Sequence, residues 1–479
     1  MDQNDLSNKN ELNEPGPAEA PKECAPEETV EPEETGEKRE KKEETGKKRS
    51  GRKDGKSRSY NPDAGSEPFF KNRKNLLRLI LLILAVAIAI TSISLGVFYM
   101  TNKEPGYYEI ELSLDSAVPG YTHFIHLEYY FSGSSNEIKA ANKQLTEEFT
   151  AAAKRTYQRL DSVRTYIGVD SVATVNESVG KTVRLDAELR DVLSDAYERT
   201  KSADGYNMFA GILYGFWDSL LYNYDPVPSD PLMNADQAEL LAEIEGYVND
   251  LSGFTFEIDR EKGTVLFDYS DGLKKLMEDY GFDWPVLDLN LLHDAYRLDM
   301  LKAELERKGW TNGRLYTDDG LSVVLSGNSG AALYLYTQKE NAAYGVRTAY
   351  VNAGAGCSGA LFRTFPFYEG EEGFYAFSDG EKNVYRSKYH TSPAEAGLVE
   401  SVLTVSDSMS LVELCCANIA AMRCGSLEDL RTALAPLDEK AVLLVSLRGS
   451  DYDTAIFTNA LTSVAFDSES GILPAELFS

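Results

Sequence analysis

A run of 21 residues without a charged side chain, at 79–99, constrains this chain more than any other feature of its sequence. At about 1.5 Å of rise per residue, a helix of this length crosses the roughly 30 Å hydrocarbon core of a bilayer. The run is apolar on all sides, whereas a helix on the surface of a soluble domain would carry a polar stripe. It is longer than the roughly 7–15-residue core of a signal peptide, and no A-x-A cleavage site follows it. The sequence therefore predicts one transmembrane helix.

The flanks of this run predict its orientation. The basic residues close to it on the N-terminal side are Lys71, Arg73, Lys74 and Arg78. On the other side Lys103 is the only nearby base, and it is followed by Glu104. Because cytoplasmic flanks are enriched in Lys and Arg, we expect the N-terminus in the cytoplasm. The chain is then a single-pass protein of the cell membrane with an extracytoplasmic C-terminal domain.

Charge divides the chain into three regions. The whole chain has 48 Lys and Arg against 77 Asp and Glu, a formal charge of -29, which excludes an electrostatic nucleic-acid binder with a basic face. Residues 1–37 hold 12 acids and 2 bases, and residues 38–78 hold 15 bases and 6 acids. Few apolar side chains occur in 1–70, so we expect a disordered cytoplasmic tail there. Residues 71–100 form the juxtamembrane and transmembrane segment, and 101–479 the outer domain.

The outer domain mixes helical and strand-like patterns. Apolar side chains recur at helical spacing over 136–166, and related patterns predict helices at 185–196, 234–251, 300–308 and 411–422. A hairpin over 254–267 is predicted by the turn residues Lys262 and Gly263. Strand-like runs occupy the segments 107–114, 121–131, 331–337, 346–351, 373–377, 384–389, 441–447, 455–458 and 461–466. We expect a single α+β domain, since no linker divides it.

General motifs assign no catalytic residue. The four histidines follow no metal-binding pattern; they are His123, His126, His293 and His390. Cys415 and Cys416 are adjacent on a predicted helix, so they point about 100° apart and cannot alone hold a tetrahedral metal. We expect buried thiols there and at Cys424. The acidic clusters at 318–319 and 369–372 are interpreted as solvated loops.

Four segments, in order, resemble the ApbE family of FAD:protein FMN transferases. Residues 166–176 (YIGVDSVATVN) resemble Y-x-x-x-S-x-x-S-x-x-N, with Asp170 and Ala173 in place of the serines. Residues 202–217 (SADGYNMFAGILYGFW) resemble T-G-G-A-F-D-P-T-V-G-P-L-V-x-L-W without gaps. Residues 286–299 (VLDLNLLHDAYRLD) resemble L-D-L-G-G-I-A-K-G-Y-A-V-D, and 400–422 resemble S-V-T-V-x-A-x-S-x-x-A-D-A-L-A-T-A-L. The resemblance implies an ApbE-like (T-fold-like) outer domain.

The resemblance also implies a chemistry. In the family, FAD is cleaved at its pyrophosphate with Mg²⁺, and FMN is transferred to a threonine of an acceptor flavoprotein. Carried onto this sequence, the flavin pocket falls on Tyr206, Asn207, Asp288 and Asp299. The metal ligands fall on Glu413 and the backbone carbonyl of His293. The residues alone leave a structural alternative to ligand binding open: Tyr206 can be an aromatic residue of the core, and Asp299 can cap a helix.

Several family positions are substituted. The replaced residues are the metal-ligand Asp (Glu413), its partner Thr (Ala417), the lysine of A-K-G (Asp294), the Asp of F-D-P-T (Asn207) and the first histidine of H-H-I-I-D-P-x-T-G (Tyr385). The scaffold residues Gly211 and Gly309 are kept. Asp294 reverses a charge near a polyanionic ligand, and such losses of preorganised charge typically cost about 10²–10³ in rate each.

Three hypotheses follow. The first is a membrane-anchored FMN transferase acting on an exported flavoprotein. The second is a catalytically silent ApbE-like flavin-binding or protein-interaction module, in effect a pseudoenzyme. A third is a structural cell-envelope protein whose basic cytoplasmic segment is the active part.

Overall fold

The structure is a computed structural model with two compact units, residues 1–88 and 89–479. The residues that it describes are 81–82, 84, 86, 102–113, 120, 125–202, 205–328, 330–338, 344–378, 380, 383–389, 398–448, 455–466 and 474–478. In the first unit, Leu81, Leu82, Leu84 and Val86 are helical and exposed. No helix built from the described residues is both long and apolar enough to span a bilayer. The tail at 1–70 and most of the run at 79–99 lie outside these residues, so both predictions stay predictions.

Nine helices are described in the second unit. They are α1 (Ser135–Leu160), α2 (Val172–Asn176), α3 (Ala187–Lys201), α4 (Gly211–Leu221), α5 (Ala235–Asn249), α6 (Asp271–Tyr280), α7 (His293–Arg307), α8 (Leu411–Met422) and α9 (Leu427–Leu434). The predicted cap of α5 is confirmed, since the Asn234 side chain accepts hydrogen bonds from the NH groups of Asp236 and Gln237. The predicted end of α7 is also confirmed, because Gly309 follows it with a φ of 89°.

Seventeen strands are described. They are β1 (Gly106–Glu109), β2 (Ile125–Phe131), β3 (Thr182–Arg184), β4 (Phe254–Asp259), β5 (Thr264–Tyr269), β6 (Gly313–Thr317), β7 (Leu321–Val324), β8 (Ala331–Gln338), β9 (Gly345–Ala353), β10 (Ser358–Arg363), β11 (Phe374–Ser378), β12 (Asn383–Ser387), β13 (Val399–Ser406), β14 (Val442–Leu447), β15 (Ala455–Thr458), β16 (Val464–Phe466) and β17 (Pro474–Glu476). Nine of them form one sheet in the order β1-β2-β6-β7-β10-β13-β14-β15-β17. All its pairs are antiparallel except β15 with β17. Smaller sheets are β16-β9-β8, β3-β5-β4 and β11-β12.

The large sheet is covered on both faces at its centre. Every residue of β10 and of β13 is buried, which explains why neither strand shows an alternating pattern. One face packs against α8, which in turn contacts α7 and, through it, α1. Leu333 and Val351 of the β8–β9 sheet share a second apolar cluster with Leu403 of β13. The outer domain is thus a helical layer, a large sheet and a small sheet, in agreement with the α+β prediction.

Helix α1 ends earlier than the 136–166 pattern predicts. Leu160 is its last residue, and Asp161 follows in an extended conformation. The Asp161 carboxylate accepts hydrogen bonds from the NH groups of Val163 (2.8 Å) and Arg164 (3.0 Å). This side chain competes with the helical backbone for these donors, so the chain turns away. The turn carries residues 161–163 into the cleft described below.

The cysteine prediction is confirmed. Cys415, Cys416 and Cys424 are buried thiols, the first with no exposed surface. Burial raises the pKa of Cys415 well above its ordinary value, which makes it a poor nucleophile. Cys24, His123 and His390 lie outside the described residues.

Candidate functional site

Three linked cavities form one groove on the outer domain. The largest, about 770 Å³, lies between the start of α7 and the loops at 318–319, 367–372 and 388–389. The second, about 570 Å³, lies between α4, the turn at 161–163 and the loop at 284–294. They share Asn290, Asp294 and Lys388. A third cavity of about 210 Å³ adjoins the second through Val163 and Trp284. We call these, in the same order, the acidic, central and small cavities of the groove.

The wall between α4 and the 284–294 loop is held by backbone contacts. A Cβ on Gly211 would lie 2.2 Å from the carbonyl oxygen of Pro285, so only glycine permits this approach. The Gly211 NH donates to Val286 O at 3.1 Å. On the other side, the Asn176 side chain donates to Leu287 O (2.8 Å) and accepts from its NH (3.1 Å). Asn176 and Gly211, which match the family motifs, therefore have structural roles: they hold the wall of the groove in place.

Two of the six predicted site residues line the groove. Asp288 lies in the central cavity, where its carboxylate accepts hydrogen bonds from the Ser162 hydroxyl and from the Asn290 NH (2.6 Å). His293 lines the same cavity, and its Nδ1 is 3.0 Å from Asp294 Oδ1. These two positions come together because the 286–293 segment leads directly into α7.

Asp294 is the residue that sets the charge of the groove. It lines both larger cavities from the first turn of α7. Burial alone would raise its pKa, but the hydrogen bond with His293 and the charges of His293 and Arg297 outweigh burial and lower the pKa to about 2. The side chain is therefore a carboxylate at neutral pH, at a helix N-terminus that would otherwise attract anions.

The acidic clusters interpreted as solvated loops border the groove, and the interpretation holds for part of them. Asp318, Asp319, Glu371 and Glu372 line the acidic cavity. Asp318 and Glu372 are exposed to solvent, as the interpretation requires, and Asp318 Oδ1 lies 2.9 Å from His126 Nε2. The interpretation is corrected for the other two, because Asp319 accepts an ion-pair hydrogen bond of 2.8 Å from Lys388 and Glu371 pairs with the fully buried Arg363.

Asp218 stands in the groove without a direct partner. It lies near the end of α4, is exposed and lines the central cavity, and its carboxylate has no hydrogen-bond or ion-pair partner among the described residues. Desolvation in the groove, and secondarily the charge of Asp288, raise the pKa of Asp218 to about 6 against the opposing charge of Lys388. A carboxylate crowded by another carboxylate favours either a proton or a positively charged neighbour.

Tyr206 and Asn207 lie beneath the groove and not in it. Tyr206 is 3% exposed, and its hydroxyl has no hydrogen-bond partner among the described residues. Burial raises its pKa well above the ordinary value, so it remains a neutral phenol. The Asn207 amide donates to Val248 O (2.9 Å) and its carbonyl accepts from the Phe209 NH (2.9 Å). Asn207 therefore braces the start of α4.

Asp299 and Glu413 meet at the N-terminus of α8, away from the cavities. The Asp299 carboxylate accepts hydrogen bonds from the NH groups of Leu411 and Val412, both at 3.3 Å. Glu413 folds back onto Ser410, accepting from its NH (2.8 Å) and its hydroxyl (3.0 Å). Asp299 is thus a helix cap, the alternative that the sequence had left open, and Glu413 completes a capping box.

These residues do not fit a magnesium ion. One Glu413 oxygen is already satisfied by Ser410, Ala417 offers no oxygen, and the His293 carbonyl belongs to the first turn of α7. No three His, Cys, Asp or Glu side chains of the described part of the chain lie close enough to hold one metal ion. Mg²⁺ needs near-octahedral oxygen ligands, and this donor set does not supply them.

The groove does not fit a dinucleotide pyrophosphate either. Its two larger cavities are lined by eight carboxylates: Asp161, Asp218, Asp288, Asp294, Asp318, Asp319, Glu371 and Glu372. Among the described residues that line them, Lys388 is the only lysine or arginine, and Asp319 holds its ammonium group. Anionic groups are bound by preorganised cations and free NH donors, which are scarce here.

The sequence missed Lys388 and Asp218. Lys388 lies in the 385–393 segment that matches the family's histidine region, but Tyr385 was taken as the matching residue. In the structure Tyr385 stacks on the Arg448 guanidinium at 3.5 Å, outside the groove. Asp218 follows Trp217, the last residue of the 202–217 match, and helical spacing from Gly211 and Gly215 would have placed it on the same face.

Comparison with known proteins places the fold. Neither a protein-family model nor a curated protein matches the sequence. The solved structure of the flavin transferase ApbE from Vibrio cholerae matches with a TM-score of 0.50 and 14% identity, over 74% of this chain and 97% of that one. An ApbE protein from Thermotoga maritima matches with a TM-score of 0.48 and 16% identity, over 71% and 94% of the two chains. The outer domain is therefore ApbE-like in fold, as the four segments indicated.

Proposed function

We propose that this chain is a catalytically silent binding module with an ApbE-like fold, held at the cell membrane by residues 79–99. The observation that carries the proposal is the charge of the groove. Where the family motif has a lysine, Asp294 presents an ionised carboxylate to both larger cavities. The fold supplies a groove large enough to hold a ligand. Because carboxylates dominate its lining, the groove favours neutral or positively charged ligands over anions.

Electrostatics argue against pyrophosphate cleavage in this groove. The transferred phosphoryl group gathers negative charge, which a catalyst must neutralise with metal ions or fixed cations. Here the helix N-terminus beside the groove is already occupied by Asp294, and Lys388 is neutralised by Asp319 at 2.8 Å. A dinucleotide would face several carboxylates that have no counter-charge, among them Asp218.

The test is flavin transfer itself. The full chain, purified in detergent, is incubated with FAD, Mg²⁺ and an exported flavoprotein acceptor, and covalent flavin is read by fluorescence of the acceptor in a denaturing gel. The flavin transferase from Vibrio cholerae is the positive control in the same buffer. We expect acceptor fluorescence with the control enzyme only. Fluorescence with this chain at a comparable rate would overturn the proposal.

Membrane anchoring is part of the proposal and has its own test. The uncharged run at 79–99 and the bases that precede it support a single span with the outer domain outside the cytoplasm. We expect the chain to remain in membrane pellets after alkaline extraction. Protease added to intact cells should then degrade the outer domain and spare the 1–70 tail. Release by alkali, or protection of the outer domain, would contradict this arrangement.

A second candidate is the transferase itself. It is favoured by the fold shared with a flavin transferase, and by Asp288 and His293, which the resemblance assigns to the flavin and the metal and which share one cavity of about 570 Å³. FAD and Mg²⁺ would then be its ligands, and a threonine of an exported flavoprotein its acceptor. The gel assay above separates the two candidates, because only the second predicts acceptor fluorescence.

A further inference from the structure

The shape of the groove suits an elongated ligand. Its three cavities follow one another, with Asp294 and Lys388 shared by the first two and Val163 and Trp284 by the last two. Side chains of an extended polypeptide alternate along the backbone, at about 3.3 Å per residue. Successive cavities of about 770, 570 and 210 Å³ can therefore receive every second side chain of such a segment, since those side chains share one face.

One end of the groove has an apolar wall. Val163, Ala173, Tyr269, Met277 and Trp284 form this wall of the small cavity, and Ser162, Asn176, Glu177 and Asp283 line the rest of it. Trp284 stacks on Phe282 at 4.5 Å, and Phe282 stacks on Tyr280 at 5.5 Å, which extends the aromatic surface beyond the cavity. Val163 is 65% exposed and Tyr280 is 52% exposed. This continuous apolar wall is a surface against which an apolar side chain of a ligand can pack.

The rest of the groove is acidic and has aromatic rims. Eight carboxylates line the two larger cavities, whereas Lys388 is the single lysine or arginine found among their described lining residues. Tyr222 and Tyr368, which are 54% and 63% exposed, stand at the mouth of the acidic cavity. Carboxylates together with aromatic faces are the groups that bind lysine and arginine side chains.

We propose that the groove binds an extended polypeptide segment of a partner protein, with an apolar side chain against the apolar wall of the small cavity and basic side chains in the central and acidic cavities. This inference rests on the proposed function, because a groove used for a flavin dinucleotide would not be open to such a segment. Charge complementarity selects this occupant: the groove repels anionic ligands, and the apolar wall of the small cavity distinguishes a peptide from a small hydrophilic cation.

A matched set of peptides tests the proposal. The probe is a fluorescein-labelled, N-acetylated hexapeptide, Gly-Leu-Ala-Lys-Ala-Lys, whose Leu and Lys side chains share one face when it is extended; it is titrated with the full chain in detergent and followed by anisotropy. The comparison peptides carry Gln or Glu in place of both Lys, or Ser in place of Leu. We expect the Lys peptide to bind most tightly, the Gln and Ser peptides more weakly, and the Glu peptide least. Equal binding of the Lys and Gln peptides, or of the Leu and Ser peptides, would overturn the proposal.

Two single variants place the binding in the groove. Asp218→Asn removes an unpaired carboxylate from the central cavity and should weaken the Lys peptide about fivefold, the value of an ion pair of about 1 kcal/mol. Asp191→Asn is the matched control, because Asp191 lies on α3, is exposed, and pairs with Arg260 at 3.3 Å. We expect it to bind like the unmodified chain. A loss of affinity that is equal in both variants would show general charge attraction and would contradict a specific site.

A further variant guards against loss of folding. Val163→Ser changes a side chain that is 65% exposed, so the thermal unfolding midpoint should not move. It should reduce the advantage of the Leu peptide over the Ser peptide. The flavin assay is run on the same preparation. Acceptor fluorescence would refute the proposed silent function, whereas no fluorescence together with no preference for the Lys peptide would refute the peptide site alone.

Discussion

The carboxylate of Glu413 accepts hydrogen bonds from the NH and the hydroxyl of Ser410, which closes the first turn of α8. Glu413 is half-buried on an otherwise apolar helix, where an unpaired charge would be costly, so such a partner stabilises it. Ser410 and Glu413 have the S-x-x-E spacing of a capping box, a signal that was present in the sequence. The geometry thus gives Glu413 a structural role as part of a helix cap, whereas the family resemblance implied that it is a metal ligand.

This role predicts two different outcomes at position 413. Glu413→Ala removes the cap and should lower the free energy of unfolding by about 1 kcal/mol. Glu413→Gln keeps an acceptor oxygen in the capping box and should be nearly neutral. Thermal unfolding of both variants, with and without Mg²⁺, checks this. If Mg²⁺ raised the midpoint of the unmodified chain and not that of Glu413→Gln, Glu413 would be a metal ligand after all.

Asp299 predicts a pH dependence of stability. Burial is the main cause that raises its pKa from 3.8 to about 6, against the hydrogen bonds from Val412 and Leu411. Between about pH 4 and 6 the folded chain therefore binds more protons than the unfolded chain, so stability falls as pH rises through this window. A shift of this size has an upper limit of about 3 kcal/mol, and partial exposure makes about 1 kcal/mol the expected loss.

The Asp299→Asn variant should not show this pH-dependent loss, because an amide carries no charge; it keeps an acceptor oxygen for one of the two NH groups and loses the other, which lowers stability at every pH. Unfolding midpoints of both proteins at about pH 4 and pH 7 give the comparison. We expect the difference in unfolding midpoint, variant minus unmodified chain, to increase as pH rises. Parallel behaviour of the two proteins would mean that Asp299 is not the group responsible.

Helices and strands with a regular spacing of apolar side chains could be predicted from the sequence. Those that are buried on all sides, and so lack this spacing, could not. The hairpin of β4 and β5 and the span of α8 agree with the sequence prediction. Strand β13 was missed because both its faces are buried, which removes the alternation that marks a strand. Helix α7 starts seven residues before the predicted 300, at His293, since its first turns pack into the core without a solvent-facing stripe.

Helix α4 carries a prediction about packing. Gly215 lies inside this helix, and a Cβ there would come within 2.5 Å of the Trp284 ring. Replacing a helix glycine by alanine ordinarily stabilises by up to about 1 kcal/mol. Gly215→Ala should instead destabilise the domain, because Trp284 must leave the wall of the groove.

Helix α5 supplies the control for this substitution. A Cβ at Gly246 would meet no atom within 4 Å, so Gly246→Ala should stabilise the chain in the ordinary way. Thermal unfolding measures both variants, and the tryptophan emission of Gly215→Ala should shift as Trp284 becomes more exposed. If Gly215→Ala stabilised the chain, Trp284 would be able to move aside without cost, and the close packing between α4 and Trp284 would not be needed for stability.

For the whole molecule, the sequence predicted the fold better than the site. Four matched segments were sufficient to identify an ApbE-like fold, because scaffold residues such as Asn176 and Gly211 keep their spacing. The groove takes much of its charge from loops at 318–319, 371–372 and 388, which are far apart in the sequence and follow no periodic pattern. Only the sheet topology brings them to one place, so the pairing of Asp319 with Lys388 and of Glu371 with Arg363 could not be inferred from the sequence.

The overall charge predicts how fast a basic ligand arrives. From residue 79 onward the chain has 59 acids and 31 bases, a net charge of -28. Such a field raises the association rate of cations at low ionic strength, and salt screens it within about 10 Å at 0.1 M. Stopped-flow anisotropy should show the association rate of the Lys peptide falling steeply with added salt. The Gln peptide should show little change, and identical salt slopes would contradict steering.

The joint at Gly211 and Asn176 has a consequence for evolution of the groove. A main-chain hydrogen bond from Gly211 and two hydrogen bonds of the Asn176 side chain hold the 286–287 segment in place, and none of them involves the charged side chains that line the groove. Substitutions among those charged residues can therefore change which ligand the groove accepts while its walls stay in position.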